Sequence, residues 1–580
     1  MKNIYQLKYK YILFIIVSII YSSGFYIGDY KVYVGDASVH IQQLEAFKLS
    51  LLHYGQLPGY NPWIGGGVPL DGNPAQGYFS IKGLLTLILT AEHAWGLSIL
   101  LYSMIFLVGS FKFANRLFNQ NKSISLVFAL LVLMSPATTG QLSLGHSPQQ
   151  TIVFLPWLLY YLLEFRQSNS GFKAGFIFAL AVNDSLSYVT VFISFVVSII
   201  YLYQLYILPT DEKKHLVGWA IKFLLIFVPL SIYRIITVFS VNSGFERILE
   251  FNFSLPFGFI INSYFNPNFL DNNWTNSLQY CSLNLEHTNY IGVLSLPILI
   301  YGLIRVNKIW LIGIILLIIS SVSNDSFLSP MYWIQKLPIF ESFLCYTRIQ
   351  SVTYFFVIVL FTSGLLQVYK SKNKNFKKII NILILLILID KSINTFLIFE
   401  KNKNFIQIDK IDYPISFNNK FYNEDINKYL VNPGSFILRY NATLNNHGLK
   451  SVGTLPNFPQ DSKYILSIND QDYKGEIYQI KNENLEIKSW SPNQIEITNI
   501  NTEEDIFVNY NRGKGWKLNN KEIFPKMKSV NNNDKFFFKS NNSNIFLRYT
   551  LPGSNLGLMA TIISLIISAL SVMYIIRKNR

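Results

Sequence analysis

The sequence predicts a mainly α-helical polytopic membrane protein with about twelve transmembrane helices and a C-terminal, extracytoplasmic β-sandwich-like domain. Three observations predict it. Hydrophobic residues make up 51% of the 580-residue chain and charged residues 14%, far from a soluble average. Apolar stretches that can span a bilayer, allowing for tilt and half-helices, recur through residues 1–400 and return once after residue 553. Between Lys401 and Pro552 the composition turns to Asn, Lys, Asp, Glu and Tyr in short alternating runs.

In chain order, the spans are expected at 11–27, 94–111, 123–139, 151–164, 174–187, 188–207, 217–240, 288–304, 309–323, 350–369, 379–398 and 556–576. The first follows a basic head but no small-residue cleavage site, so it is expected to be retained. Lys2, Lys8 and Lys10 place the N-terminus inside. Counting crossings then puts Lys112/Arg116/Lys122, Arg166/Lys173, Lys213/Lys214, Arg305/Lys308, Lys372/Lys374/Lys377/Lys378 and Arg577/Lys578/Arg580 on the same cytoplasmic side. The formal net charge of +16 is therefore accounted for by cytoplasmic loops, and nucleic acid is excluded as a partner. Residues 1–400 form the bundle with its outer loops, residues 401–552 the outer β domain, and residues 553–580 a last helix with a basic tail. Strands are expected in LEIKSW, QIEITNI, DIFVNY, KFFFKS and NIFLRYT.

The same parity sends the remaining loops outward, and they carry the polar chemistry. In the first (28–82), Asp36 and His40 are spaced i, i+4 and share a face if the segment is helical, with Glu45 close behind. Pro58, Pro62, Pro69 and Gly65–Gly67 then argue a tight, close-packed loop. A carboxylate held there beside the bilayer is a reasonable general base; the competing reading is a helix cap in a solvated loop. His146, Asn183/Asp184, Arg247, Glu286, His287 and Arg348 lie in other outer loops. Cys281 and Cys345 are too few for a disulfide framework or a Cys-rich metal site, although both fall on the outer side where they could pair. Trp516 is expected in the β-domain core, and Trp63, beside Asn61 and Pro62, suits either interfacial anchoring or sugar stacking. No Walker loop, strand-linked GxGxxG, HExxH, GxSxG or CxxC motif occurs.

Several segments, in order, carry a resemblance. They are Gly35-Asp36, the run from Gly55 to Leu70 ending GGGVPL, Gly145-His146 followed by LPWLL, and YRIITVFSVNSGFER. EHTNYIGVLSLPIL, LPIF with Arg348, the stretch around Gly515-Trp516 and FLRYTLPGSNLGLMATIIS complete the set. Together they resemble the YfhO family of bacterial membrane proteins, itself similar to the glycosyltransferase C (GT-C) superfamily. One departure is that Leu344 stands where the family often has a first arginine, leaving Arg348 without a paired guanidinium.

The resemblance implies a GT-C-like bundle in the bacterial cytoplasmic membrane. It also implies inverting transfer of a sugar from a polyprenyl-phosphate-linked donor to a cell-envelope glycan or lipid acceptor. Asp36 matches the general base. Arg348, then Arg247, would meet the leaving phosphate. His146 and Trp63 would contact substrate, and His40, Glu286 and His287 are candidate ligands for a divalent cation, Mg or Mn. A non-catalytic membrane factor remains the alternative: a lipid-linked-sugar transporter, or an assembly protein whose β domain binds glycan. An ion-coupled transporter would need mid-span acids, and the spans contain almost none.

Overall fold

The computed structural model describes residues 2–25, 31–33, 36–64, 66–242, 262–266, 288–305, 333, 336, 350–370, 374–401, 405–407, 422–424, 448–449, 473–482, 485–510, 515–519, 521–522, 526–530 and 533–578. Helix α1 (Lys2–Ser23) leads through β1 (Lys31–Tyr33) to α2 (Asp36–Lys48), the hairpin β2 (Tyr60–Asn61) and β3 (Val68–Pro69), and α3 (Ile81–Thr86). There follow α4 (Ala91–Leu117), α5 (Lys122–Leu133), α6 (Pro136–Ser143), α7 (Leu155–Leu163), α8 (Ser170–Asp184), α9 (Tyr188–Ile207) and α10 (Thr210–Asn242). After these come α11 (Leu296–Arg305), α12 (Gln350–Tyr369), α13 (Lys374–Lys401) and, beyond the strands, α14 (Ser554–Lys578).

Among the described residues, 7 helices are long and apolar enough to cross a membrane, with α5 and α6 counting as one run, and the chain is a membrane protein. The predicted stretches 151–164 and 174–187 are helical, but α7 and α8 fall short of that length; the stretch 309–323 lies outside the described residues. Ser135 explains the break between α5 and α6. Its side chain accepts from the Thr138 amide as an N-cap, and Pro136 occupies the first position of the new helix.

Helix directions follow from close approaches. Gly553 and Gly557, entering α14, lie against Ser240 and Tyr233 near the end of α10, so these two helices run antiparallel. Gly171 and Gly175 of α8 meet the backbone of α10 at Trp219 and Phe223, while the Asn183 Nδ2 donates to the Leu230 carbonyl at 2.8 Å, so α8 and α10 run parallel. Where a glycine faces backbone in this way, no Cβ fits, and the helices approach as small residues allow in membrane bundles.

Consequently Arg116, Arg166, Glu164 and Glu212 gather at one end of the bundle, joined by Arg116–Glu164 (2.5 Å) and Arg166–Glu212 (2.7 Å) ion pairs. The first loop and the strands occupy the opposite end. The basic clusters within α4–α10 thus share one end, as their spacing predicts.

The C-terminal strands are β4 (Phe405–Gln407), β5 (Tyr422–Glu424), β6 (Gly448–Leu449), β7 (Ile477–Tyr478), β8 (Glu486–Ser491), β9 (Gln494–Thr498), β10 (Ile506–Val508), β11 (Trp516–Leu518), β12 (Lys521–Glu522), β13 (Lys526–Val530), β14 (Asn533–Phe538) and β15 (Ile545–Tyr549). They make a 4-stranded sheet ordered β13-β14-β10-β7 and a 5-stranded sheet ordered β12-β11-β15-β9-β8. In β15 the pattern Ile545 in, Phe546 out, Leu547 in, Arg548 out, Tyr549 in is the period-2 alternation of a strand with one buried face. Ile506 and Val508 of the first sheet share a core cluster with Ile495, Ile497, Ile545, Leu547 and Trp516 of the second. Trp516 is buried there, as expected. The strands are tied to the first loop in several places, among them the antiparallel pairing of β1 with β4 and the membership of Phe47, Tyr60 and Trp63 in the same cluster.

Candidate functional site at the first-loop end

Helix α2 is the centre of this end. Asp36 is its first residue, where the positive end of the helix dipole favours a carboxylate, and His40 follows one turn later. Although its sequence is polar, α2 is buried nearly throughout because it is covered on two sides. Ala37, Ile41 and Leu44 join the bundle core, while Ala46 and Phe47 join the cluster shared with the sheets. Burial on both sides forces its polar groups to find partners within the protein. Gln42 and Asn61 exchange amide hydrogen bonds (3.2 and 3.4 Å), Gln43 accepts from Asn73 (3.3 Å), and the His40 ring stacks on Trp95 with centroids 6.0 Å apart.

The Gly145-His146 turn packs onto the start of this helix. Gly145 has φ +86°, and its α-carbon is pressed against the Ala37 backbone so closely that no side chain fits. His146, also buried, hydrogen-bonds through Nδ1 to the Gln141 side chain and precedes a 3₁₀ segment, Ser147–Phe154. Within that segment the Gln149 Oε1 accepts from Ser351 at 3.0 Å, which joins the turn to the start of α12.

Below the helix, two buried ionic groups hold the loop. Arg234 of α10 donates to the Asp71 carboxylate (3.1 Å) and to the carbonyls of Asp71, Asn73 and Gln76 (2.7 Å for the last). It thereby pins the turn 71–76 to the bundle. Burial pushes the Asp71 carboxyl from its ordinary 3.8 to about 6, against the Arg234 charge and a Tyr233 hydrogen bond. Lys82 of α3 pairs with Asp184 at the end of α8 (3.3 Å), both virtually inaccessible, and the Tyr102 hydroxyl donates to the same carboxylate at 2.7 Å. Burial pulls the Lys82 ammonium below the usual lysine range, and Asp184 opposes it.

From above, the sheets grip the other side of the loop. Asn493 accepts from the Tyr60 amide (2.9 Å) and donates to the Leu57 carbonyl (2.7 Å), and Gln56 donates to the Ser491 hydroxyl (2.7 Å). Tyr60 stands edge-on to Trp516 with centroids 5.0 Å apart. Gly67, at φ +94°, lies directly against the Tyr60 hydroxyl, which accounts for the glycine-rich turn. Trp63 is fully buried and edge-on to Trp490, so its ring lies in the seam between loop and sheets.

The structure thus brings together the start of the Asp36 helix, His40 and the His146 turn, and puts Trp63 on the sheet side of the same loop. The side chain of Asp36, and all of Arg247, Cys281, Glu286, His287, Cys345 and Arg348, lie outside the described residues. Among the described residues, no group of three or more His, Cys, Asp or Glu side chains gathers where it could hold a metal ion. Sequence reasoning missed Asp71, Lys82 and Arg234. A usable signal was present for Arg234, a charge inside an otherwise apolar span, which is costly unless it is paired. No family model, curated protein or solved structure matches the chain.

Proposed function

We propose that the chain is a GT-C-like membrane glycosyltransferase of about twelve spans, with both termini cytoplasmic and a β-sandwich-like domain outside. It would move a sugar from a polyprenyl-phosphate donor to an envelope glycan or lipid. The supporting observation is the contact of Gly145 with Ala37, which joins two polar motifs far apart in sequence at the end of the bundle that the sheets cover.

In this reading the Asp36 carboxylate takes the proton of an acceptor hydroxyl. The freed oxygen attacks the anomeric carbon from the face opposite the donor phosphate. The bond from that carbon to the phosphate oxygen breaks, its electron pair leaves with the polyprenyl phosphate, and the configuration inverts. Arg348 and Arg247 are assigned to the leaving phosphate. His146 is assigned to the sugar, with His40, Glu286 and His287 as the set for a divalent cation if one is required. The clamps at Arg234, Lys82 and Asn493 support the role by fixing the loop, because a general base must be held within hydrogen-bond reach of its proton.

The test is mass spectrometry of lipids retained by protein purified with its native membrane, followed by incubation with candidate acceptors. Retained polyprenyl-phosphate sugar that is consumed on adding acceptor supports the reading. Retained glycolipid that is never transferred moves the assignment to a non-catalytic transporter or assembly factor.

A further inference from the structure

Lys391 lies within the apolar run of α13, yet it is 0% exposed, and its ammonium has no hydrogen-bond partner. It stands 5.1 Å from the ring centroids of both Tyr290 and Tyr354. The helix directs it inward. Ile387, Lys391, Asn394, Thr395 and Ile398 form a buried stripe, while Ile389, Ile393, Phe396 and Leu397 are exposed on the opposite side. An ammonium at that depth is costly to bury, and two aromatic faces together with the carboxylate of the half-buried neighbour Asp390 replace only part of its hydration.

Other polar atoms in this region are equally unsatisfied. The Tyr264 and Tyr354 hydroxyls and the Gln350 Nε2 are buried and have no partner, as do the Asn394 Oδ1 and Thr395 Oγ1 on Lys391's own face. Gln350 and Tyr354 are one turn apart on α12, and Asn289 donates to the Gln350 Oε1, which leaves that amide's nitrogen free to donate elsewhere. Tyr264 is tied into the group because the Ile291 amide donates to its carbonyl at 2.8 Å. The neighbouring Asp390 is turned toward the Tyr290 hydroxyl (3.5 Å) and the Gly292 backbone.

We propose that Lys391, Tyr264, Tyr354 and the Gln350 amide form a buried anion-binding site that takes a phosphate group. One ammonium and several neutral donors drawn from three neighbouring segments suit a multi-oxygen anion better than a single acceptor. The site is continuous with the candidate site: Ser351, next to Gln350, donates to Gln149, three residues beyond His146. Its role as the phosphate subsite of a lipid-linked donor rests on the proposed transferase function, whereas phosphate binding itself does not.

The test uses the full chain in phosphate-free maltoside micelles, with inorganic phosphate and a short-chain polyprenyl phosphate as separate probes and thermal unfolding as the readout. The wild type gains stability with increasing probe. Stabilisation by the polyprenyl phosphate alone identifies a lipid-borne ligand, and stabilisation by both identifies a site open to free phosphate. Lys391→Met removes the probe effect and, without probe, unfolds at a higher temperature than wild type, because a buried charge that Asp390 only partly compensates has gone. Lys391→Arg retains the effect, and Tyr354→Phe weakens apparent affinity several-fold with the fold intact.

The proposal is overturned by a wild type that neither probe stabilises. It is equally overturned by a Lys391→Met protein that responds as wild type does, or that is less stable without probe, which would make Lys391 a packing residue. Phosphate binding without any sugar transfer leaves this site standing and removes the transferase reading. Transfer that is indifferent to Lys391→Met leaves the transferase reading standing and overturns this site's role as its phosphate subsite.

Discussion

The two ends of the helical bundle use charge in opposite ways. At the basic end, Arg116–Glu164 and Arg166–Glu212 connect the end of α4 to the end of α7 and the turn after α7 to the start of α10, with arginines 50% and 64% exposed. At the first-loop end, Lys82–Asp184 and Arg234–Asp71 have side chains 3% exposed or less. Exposed pairs contribute roughly 0–1 kcal/mol because water and salt already solvate the partners. Buried pairs gain little as pairs, yet losing one partner strands a charge in a poor solvent. The basic end can therefore tolerate change, whereas the loop end is committed to one arrangement, as a region that must hold α2 in place requires.

The largest expected effect is at Arg234. Arg234→Ala leaves Asp71 and three backbone carbonyls without their donor and should destabilise the protein by about 3–5 kcal/mol, read as lost folded yield or a lower midpoint in denaturant titration. A wild-type midpoint would break the contrast between the two ends. Lys82→Met should cost a similar amount, but Lys82→Met with Asp184→Leu should recover much of it, since removing both charges strands neither. Equal losses in the single and double variants would instead make the pair a source of net stability.

Asp71 sharpens the contrast through pH. The folded protein holds its proton more tightly than the unfolded chain, so stability falls as pH rises from about 4 to about 6 and is level above that. The fall should be at most on the order of 3 kcal/mol. Asp71→Asn should flatten that part of the profile of unfolding temperature against pH, and an unchanged decline would assign it to another group. The smallest effect belongs to the basic end: Arg166→Ala should change stability by less than about 1 kcal/mol, and less still in high salt.

How much of this was legible in the sequence follows the range of each interaction. The length of apolar runs places α9 at 188–207 and α12 at 350–369, the bounds the structure gives, and local alternation marks the strands β8, β9, β10, β14 and β15. The i, i+4 spacing of Asp36 and His40 became consecutive turns of α2, and the Pro/Gly run became a tight hairpin. The ion pairs had no such signal, because Asp71 and Arg234 are 163 residues apart and meet only once the loop folds back onto α10. Asp184 was visible as an outer-loop acid, but Lys82 was hidden in a short helix that buries it and exposes Leu84. Trp63 reads from the sequence as suited to interfacial anchoring or sugar stacking, and the sequence does not reveal that β8 supplies Trp490 against it.

The most direct measurement of the central claim is sugar transfer by Asp36→Asn in the purified full-length protein, with donor binding measured in parallel. Asn keeps the size and hydrogen-bonding reach of Asp but cannot accept the proton, so transfer should fall by about 10² to 10⁴ while the lipid donor still binds and folded yield is unchanged. An Asp36→Asn protein that transfers sugar at the wild-type rate would contradict the account and leave the first-loop end as a structural clamp.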